Sequence, residues 1–165
     1  MNTHIRIFQL SLLGVIAATG LVVPSAKAGT DTANLTVKIV ITSTCDIHTA
    51  PPTDVNFGTV SSTATNIAQA GSITANCTPG TTYQISLDNG LNASGGQRRM
   101  AQGSNFVAYN LYTDSAHANT WSTGASAYSG SGAGSAQVIP VYGVVPSANA
   151  QAGTYTDTVV ATISY

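Results

Sequence analysis

The sequence predicts an all-β sandwich, and three observations support that prediction. Apolar residues recur with a period of two, whereas the helical period of 3.6 is hard to find. Short candidate strands are separated by turn-forming residues such as Thr78-Pro79-Gly80 and Ala152-Gly153. Glutamate is absent and only 7% of the residues are charged, so Thr, Ser, Asn, Ala and Gly supply a surface that suits strands and turns better than helices.

The first residues have the pattern of an export signal. A weakly basic start with Arg6 is followed by an apolar run over 10–23 and then by Ala26-Lys27-Ala28, a small-residue cleavage motif. We therefore expect residues 1–28 to be a cleaved signal peptide and the product to pass through the periplasm to the cell surface or medium. The apolar run is shorter than the roughly 20 residues that a membrane-spanning helix needs, so we expect no membrane insertion.

The best candidate strand lies just ahead of the first cysteine, over residues 33–42. Its apolar face is formed by alternate residues, namely Leu35, Val37, Ile39 and Ile41. Further candidate strands lie at 72–77, 82–87, 107–112, 137–145 and 155–165. The last of these also alternates, and one of its faces carries Tyr155, Asp157, Val159, Ala161, Ile163 and Tyr165. Between the strands, residues 122–136 are almost wholly Ser, Gly, Ala and Thr, which predicts a long flexible loop or the tip of a hairpin.

Cys45 and Cys77 are the two cysteines of the chain. In an exported protein they predict one disulfide, which would stabilise the fold by roughly 3 to 4 kcal/mol on the chain-entropy model. A metal or redox pair is the alternative, but the spacing is not C-x-x-C and no further ligands accompany it.

Candidate catalytic groups are few, so the sequence predicts no enzyme, no metal site and no cofactor. His48 and His117 are the histidines beyond the signal, and neither lies in a catalytic or metal-ligand motif, so we expect ordinary surface or loop residues. Asp88 is followed by Asn89-Gly90, a pair that favours a tight hairpin turn. A calcium site is the alternative interpretation of Asp88, but the spaced acidic ligands of a calcium loop are missing.

The charge pattern excludes some partners. Beyond residue 28 the chain carries three cations, Lys38, Arg98 and Arg99, against six aspartates. This balance argues against nucleic acid or an anionic membrane as a partner, since both favour clustered Lys and Arg. For the pair Arg98-Arg99 we expect a solvated position or an ion pair with an aspartate inside the fold.

An ordered set of motifs resembles the spore coat protein U family, which includes the pilins of archaic chaperone–usher systems. The set covers nearly all of residues 33–165, although Val144 departs from the polar residue that often follows its Tyr-Gly pair. In chain order, the motifs are Cys45, Asn56-Phe57-Gly58, Gly71-Ser72-Ile73, Cys77, Tyr83 to Gly90, Arg98-Arg99-Met100, Tyr109 to Asp114, Val141-Tyr142-Gly143 and Gly153 to Asp157.

The resemblance implies an immunoglobulin-like sandwich that lacks its final strand and is completed by a neighbouring subunit. Residues 29–42 would then be the donor strand, and residues 43–165 the incomplete domain, with its acceptor edge formed by Tyr155, Val159, Ala161, Ile163 and Tyr165. The implied partners are identical or related pilins in a head-to-tail polymer, a periplasmic chaperone and an outer-membrane usher.

The function implied is a structural subunit of a pilus that supports surface attachment and biofilm formation. One alternative is a spore-coat or secreted surface protein of the same fold that forms no pili, and another is an adhesive binding module. A further possibility is structural, because residues 33–42 could instead be the first strand of a self-contained sandwich.

Overall fold

The computed structural model describes residues 24–165, so most of the predicted signal peptide lies outside the described residues. Residues 24–44 contain no helix or strand. The apolar side chains predicted to form one face of a strand are exposed there, with Leu35 at 88%, Val37 at 87%, Ile39 at 82% and Ile41 at 77%. Residues 33–42 thus form no strand in the isolated chain, which contradicts the alternative of a self-contained sandwich that begins there, and their role as a donor strand stays a prediction.

From Cys45 onward, the described chain forms two antiparallel sheets with one 3-10 turn, Gly124–Ser126. The strands are β1 (Cys45–Asp46), β2 (Thr65–Cys77), β3 (Thr82–Leu87), β4 (Arg98–Gln102), β5 (Asn105–Tyr112), β6 (Tyr128–Ser131), β7 (Ala136–Ser147) and β8 (Ala161–Ser164). One sheet has the order β1-β2-β7-β5-β4, and the other has the order β6-β3-β8. The prediction of an all-β sandwich is confirmed.

The longest ladder joins β2 to β7, from Thr65 opposite Ser147 to Asn76 opposite Ala136. Residues 72–77 of β2 alternate polar with apolar side chains, whereas β7 is mostly apolar and alternates in burial only, with Ile139, Val141 and Val145 buried. The core between the sheets includes the fully buried Trp121, whose Nε1 donates a hydrogen bond to the carbonyl of Ile85 at 2.7 Å.

The strands predicted at 72–77, 82–87, 107–112 and 137–145 are confirmed, although β2 begins earlier, at Thr65. The strand predicted at 155–165 is shorter than expected, because regular pairing is confined to Ala161–Ser164. Strand β4 was not predicted, since its Arg98-Arg99 start looks like surface sequence.

Two turn predictions were wrong. Residues 122–136 are not simply a loop, because they contain β6, which pairs with β3 while its Tyr128 packs 5.5 Å from Trp121 between ring centroids. Asp88-Asn89-Gly90 makes a turn with φ +77° at Gly90, but it closes no hairpin. The chain crosses there from one sheet to the other, since β3 pairs with β6 and β8 whereas β4 pairs with β5.

Candidate functional site

An open groove lies in the domain that follows Cys45, with a cavity volume of about 1100 Å³. Core side chains line it, and they come from both sheets: Ile73, Leu87, Val107, Leu111, Val141 and Val145. Two further segments line the groove, and we call them the leading rim (residues 53–58) and the terminal rim (residues 154–164, which ends in β8). The cavity is large enough to admit a row of side chains and is mainly apolar at its base.

The terminal rim alternates between half-buried and exposed residues. Tyr155, Val159, Ala161 and Ile163 are half-buried and pack against the core, Asp157 of the same face is also half-buried, and the residues at the even-numbered positions between them are exposed. The predicted alternation is therefore present. Tyr165 differs from the other predicted edge residues, because it lies beyond β8 and is 62% exposed.

Backbone hydrogen bonds of the terminal rim also alternate. The backbone of Thr156 exchanges hydrogen bonds with Ala101, and the Thr158 carbonyl accepts from Leu91. The Val160 carbonyl accepts a hydrogen bond from the Asp88 N–H at 3.0 Å, and the Val160 N–H donates one to Asp88 Oδ1 at 2.9 Å. In the described chain, the backbone groups of residues 155, 157 and 159 make no such bonds. Alternate residues of a strand direct these groups to opposite edges, so one edge of the terminal rim is unpaired.

The leading rim lies on the other side of the groove and is attached at one point. Thr53 exchanges two backbone hydrogen bonds with Ser72 of β2, at 2.9 and 3.0 Å. Val55 and Phe57 are half-buried and pack against the core. Both lie over Gly143 of β7, where an added Cβ would stand 2.6 Å from Val55 Cγ1. Glycine at 143 is therefore required for the close approach of this rim.

Sequence reasoning missed the leading rim as a structural unit. Asn56-Phe57-Gly58 and Val141-Tyr142-Gly143 were noted only as family motifs. The available signal was the alternation of Val55 and Phe57, which was too short to predict a strand.

Asp157 fastens the terminal rim from inside the groove. Its carboxylate accepts hydrogen bonds from the Tyr109 hydroxyl at 2.7 Å, the Leu91 N–H at 3.0 Å and Asn92 Nδ2 at 3.0 Å. Burial raises the pKa of Tyr109, and the hydrogen bond to Asp157 raises it further, so the phenol remains a donor. Gly90 leaves room for this carboxylate, which an added Cβ would overlap.

For Arg98 both expected environments, a solvated position and an ion pair with an aspartate, are wrong, and within residues 24–165 neither Arg98 nor Arg99 pairs with an aspartate. Arg98 is 6% exposed, and its guanidinium donates to the carbonyl oxygens of Leu87, Asp88 and Trp121 at 2.6 to 3.1 Å. Burial lowers the pKa of Arg98. Arg99 lies 4.1 Å above the Phe106 ring centroid. Arginine suits the buried position because its planar fork can donate to several carbonyls at once.

The disulfide predicted between Cys45 and Cys77 is confirmed. It lies at the pairing of β1 with β2, where these two residues are directly opposite. Thr44, the residue before it, is also tied to the domain, since its N–H donates to Thr78 Oγ1 at 3.0 Å and its carbonyl accepts from the Thr78 N–H at 2.9 Å.

The remaining polar candidates form no chemical site. His48 is exposed, and its Nδ1 lies 3.4 Å from Asp46 Oδ1. The pKa of Asp46 is lowered mainly by the hydrogen bond that its carboxylate accepts from the backbone N–H of His48. His117 packs against Tyr112, with ring centroids 5.2 Å apart. Within residues 24–165, no group of three or more His, Cys, Asp or Glu is arranged to hold a metal ion. The same residues contain no helix long and apolar enough to cross a bilayer.

Comparison with known proteins identifies the family. The family model of the Spore Coat Protein U domain matches residues 31–162. The chain belongs to the Spore Coat Protein U domain family. The match extends from the exposed N-terminal segment to β8, so the domain includes both rims of the groove.

Two relatives of this Spore Coat Protein U domain chain are informative. Protein U of Myxococcus xanthus is 35% identical over 175 aligned positions, which cover 95% of this chain and 98% of that protein. The fold also resembles a chain in the crystal structure of the CsuC-CsuE chaperone–tip adhesion subunit pre-assembly complex, from the archaic chaperone–usher Csu pili of Acinetobacter baumannii. There the TM-score is 0.54 and the identity 27%, over 76% of this chain but 40% of that one.

Proposed function

We propose that this protein is a structural subunit of an extracellular fibre assembled by the chaperone–usher pathway. In this proposal, residues 29–42 of one copy, the donor segment, fill the groove of the next copy. The observation that carries the proposal is a groove between two rims, one with an unpaired backbone edge, in a chain that also holds an exposed segment of alternating apolar residues.

The chemistry of the donor segment fits the groove. Its four exposed aliphatic side chains occupy alternate positions, as do the half-buried side chains of the terminal rim. Burying each aliphatic side chain would contribute about 1.5 to 3 kcal/mol before the cost of ordering the segment. Main-chain hydrogen bonds to the unpaired rim would add to this, as in other cases of strand addition.

Polymerisation follows from the geometry of this contact. The donor segment and the groove are different surfaces, so the contact between copies is head-to-tail and, where it does not close into a ring, produces a filament. Before assembly, the groove would need a temporary occupant, because an open apolar cleft with an unpaired edge promotes aggregation. A periplasmic chaperone fits that role, and the resemblance to a chaperone-bound pilus subunit supports it.

An outer-membrane usher would then catalyse the exchange, and the fibre would support surface attachment and biofilm formation.

The second candidate function is that of a secreted coat protein that forms no pili. The similarity to Protein U over nearly the whole of both chains favours that alternative. Electron microscopy of cells with and without the gene separates the two, since only the fibre proposal expects thin surface filaments that depend on it.

The assembly proposal is tested on the full chain by changing one face of the donor segment at a time. Replacing its four aliphatic residues by serine should abolish polymers, while the complex with the chaperone still forms. The matched control replaces Asn34, Thr36 and Thr42 by serine on the opposite face, and it should polymerise normally. Size-exclusion chromatography and denaturing gels of unheated samples report the polymer. Polymers from the apolar-face variant would contradict the donor assignment.

A further inference from the structure

The position of the disulfide suggests a role beyond stabilising the folded domain. Cys45 is the first residue of β1 and follows the donor segment by only a few residues. In a fibre, any pull on a subunit through its donor segment therefore enters the domain at Thr44 and Cys45. This reasoning rests on the proposed function.

Without the disulfide, that pull would pass along the chain into a weakly attached stretch. Beside the hydrogen bonds between Thr44 and Thr78, strand β1 contributes only two residue pairs, Cys45 with Cys77 and Asp46 with Asn76. In the described chain, the hydrogen bonds of residues 47–52 to a strand go only to the side chain of Asp46 in β1 itself, and none reaches another strand. The next attachment is the pair of hydrogen bonds between Thr53 and Ser72.

The stretch that would be pulled loose includes the leading rim. Val55 and Phe57 hold this rim over Gly143 by partial burial alone, apart from the Thr53 attachment. Detaching residues 46–58 would thus remove one side of the groove. A subunit pulled through its own donor segment would then release the donor segment of its neighbour.

The disulfide provides a shorter route for the same force. It connects Cys45 directly to Cys77, at the end of β2. Cys77 is 1% exposed, and β2 is paired with β7 over almost its whole length. Force that follows this route reaches the central ladder of the larger sheet and bypasses residues 46–76, including the leading rim.

We propose that the Cys45–Cys77 disulfide is a mechanical bypass that keeps tension on the donor segment from opening the acceptor groove of the same subunit. The loop-closure effect of a disulfide acts on the unfolded chain and is independent of pulling. A bypass, in contrast, should matter more as the load increases, and this difference is measurable.

The experiment uses fibres of the full chain, assembled with the disulfide intact. One half is treated with a phosphine reductant and alkylated, and loss of the disulfide is verified by mass spectrometry. Fibre lifetime is then measured at zero load, from subunit release after dilution, and at a series of constant pulling forces. Fibres of the Cys45→Ala/Cys77→Ala variant provide a second, reductant-free comparison.

We expect nearly equal lifetimes at zero load and a lifetime at least about tenfold shorter for reduced fibres under the highest load, since forced opening depends on the opening rate. Reduced subunits should also lengthen before rupture, by up to roughly 65 Å if about 20 residues between 46 and 64 are pulled out. Intact fibres should lack this step.

If reduction shortens the fibre lifetime by the same factor at every load, the bypass is wrong and the disulfide only stabilises the folded domain in general. Equal lifetimes at every load would overturn any mechanical role. Both results leave the fibre proposal standing, whereas a chain that forms no fibres in any state refutes the fibre proposal and the bypass together.

Discussion

Strand β7 and the terminal rim both alternate between more and less buried residues, but their environments differ. In β7, which pairs with β2 on one side and β5 on the other, Ile139, Val141 and Val145 are 3 to 6% exposed. In the terminal rim, which is bonded along one edge only, Val159 and Ile163 remain half-buried. The difference shows that the period of two sets which way side chains point, whereas the depth of burial depends on what packs over that face: the core covers the inner face of β7, and the open groove adjoins the terminal rim.

A first test removes the support beneath the terminal rim. Arg98→Met leaves the carbonyls of Leu87, Asp88 and Trp121 without their donor, and Asp88 is the residue that holds Val160 of the rim. We expect a loss of about 3 kcal/mol or more in the free energy of unfolding, because buried acceptors become unsatisfied. Denaturant titration of the purified chain measures it.

The matched control for that test is Arg99→Met, which removes the neighbouring cation from the Phe106 ring and one hydrogen bond to the Asn92 carbonyl. Its cost should stay near 1 kcal/mol or below. Equal losses for the two variants would show that the buried arginine does not support the rim through its carbonyl contacts.

A second test compares two neighbouring valines of the terminal rim. Val159 faces the groove, whereas Val160 is 54% exposed on the other face. Val159→Asn should lower the yield of polymer by about tenfold or more, since the amide would be buried against a donor strand without a partner. Val160→Asn should leave the yield nearly unchanged. Similar yields would mean that the groove face is not the assembly surface.

A third test concerns the Tyr109–Asp157 contact. Tyr109→Phe should cost about 1 kcal/mol of unfolding free energy at neutral pH, where the hydroxyl donates to Asp157. Folding raises the pKa of Tyr109 above its usual 10.0. The contribution of the neutral hydroxyl to the free energy of unfolding is therefore complete below pH 10 and declines as the pH rises further. The variant should lose less stability than the wild type above pH 10. Parallel pH profiles would exclude this linkage.

Much of the fold could be predicted from alternation, turn residues and the cysteine pair. Strand β3 lies at the predicted residues 82–87, and Cys45 is bonded to Cys77 as expected. Strand β6 was missed because three of its four residues are Ser or Gly, and its place depends on pairing with β3 and on Tyr128 contacting Trp121. Local composition carries no information about such long-range contacts.

The groove could be anticipated only in part. Its terminal rim followed from the pattern at 155–165, but its leading rim depends on Val55 and Phe57 crossing over a glycine that is distant in sequence. Arg98 was misjudged for a similar reason. Its carbonyl partners are the adjacent residues Leu87 and Asp88 and the distant Trp121, and a pair of arginines in sequence gives no sign that one of them is buried.

Anchoring by Arg99 and Asp157 also isolates one short surface segment. Arg99 and Asp157 both bond to Asn92, and Gln97 exchanges backbone hydrogen bonds with Ser94, which closes residues 93–96 into an exposed loop between fixed ends. A foreign peptide inserted there would lie outside both sheets and beside the bonded edge of the terminal rim, not at its unpaired edge. In a filament of many copies it would recur once per subunit, so this loop is the natural place for regularly spaced display of an epitope or tag.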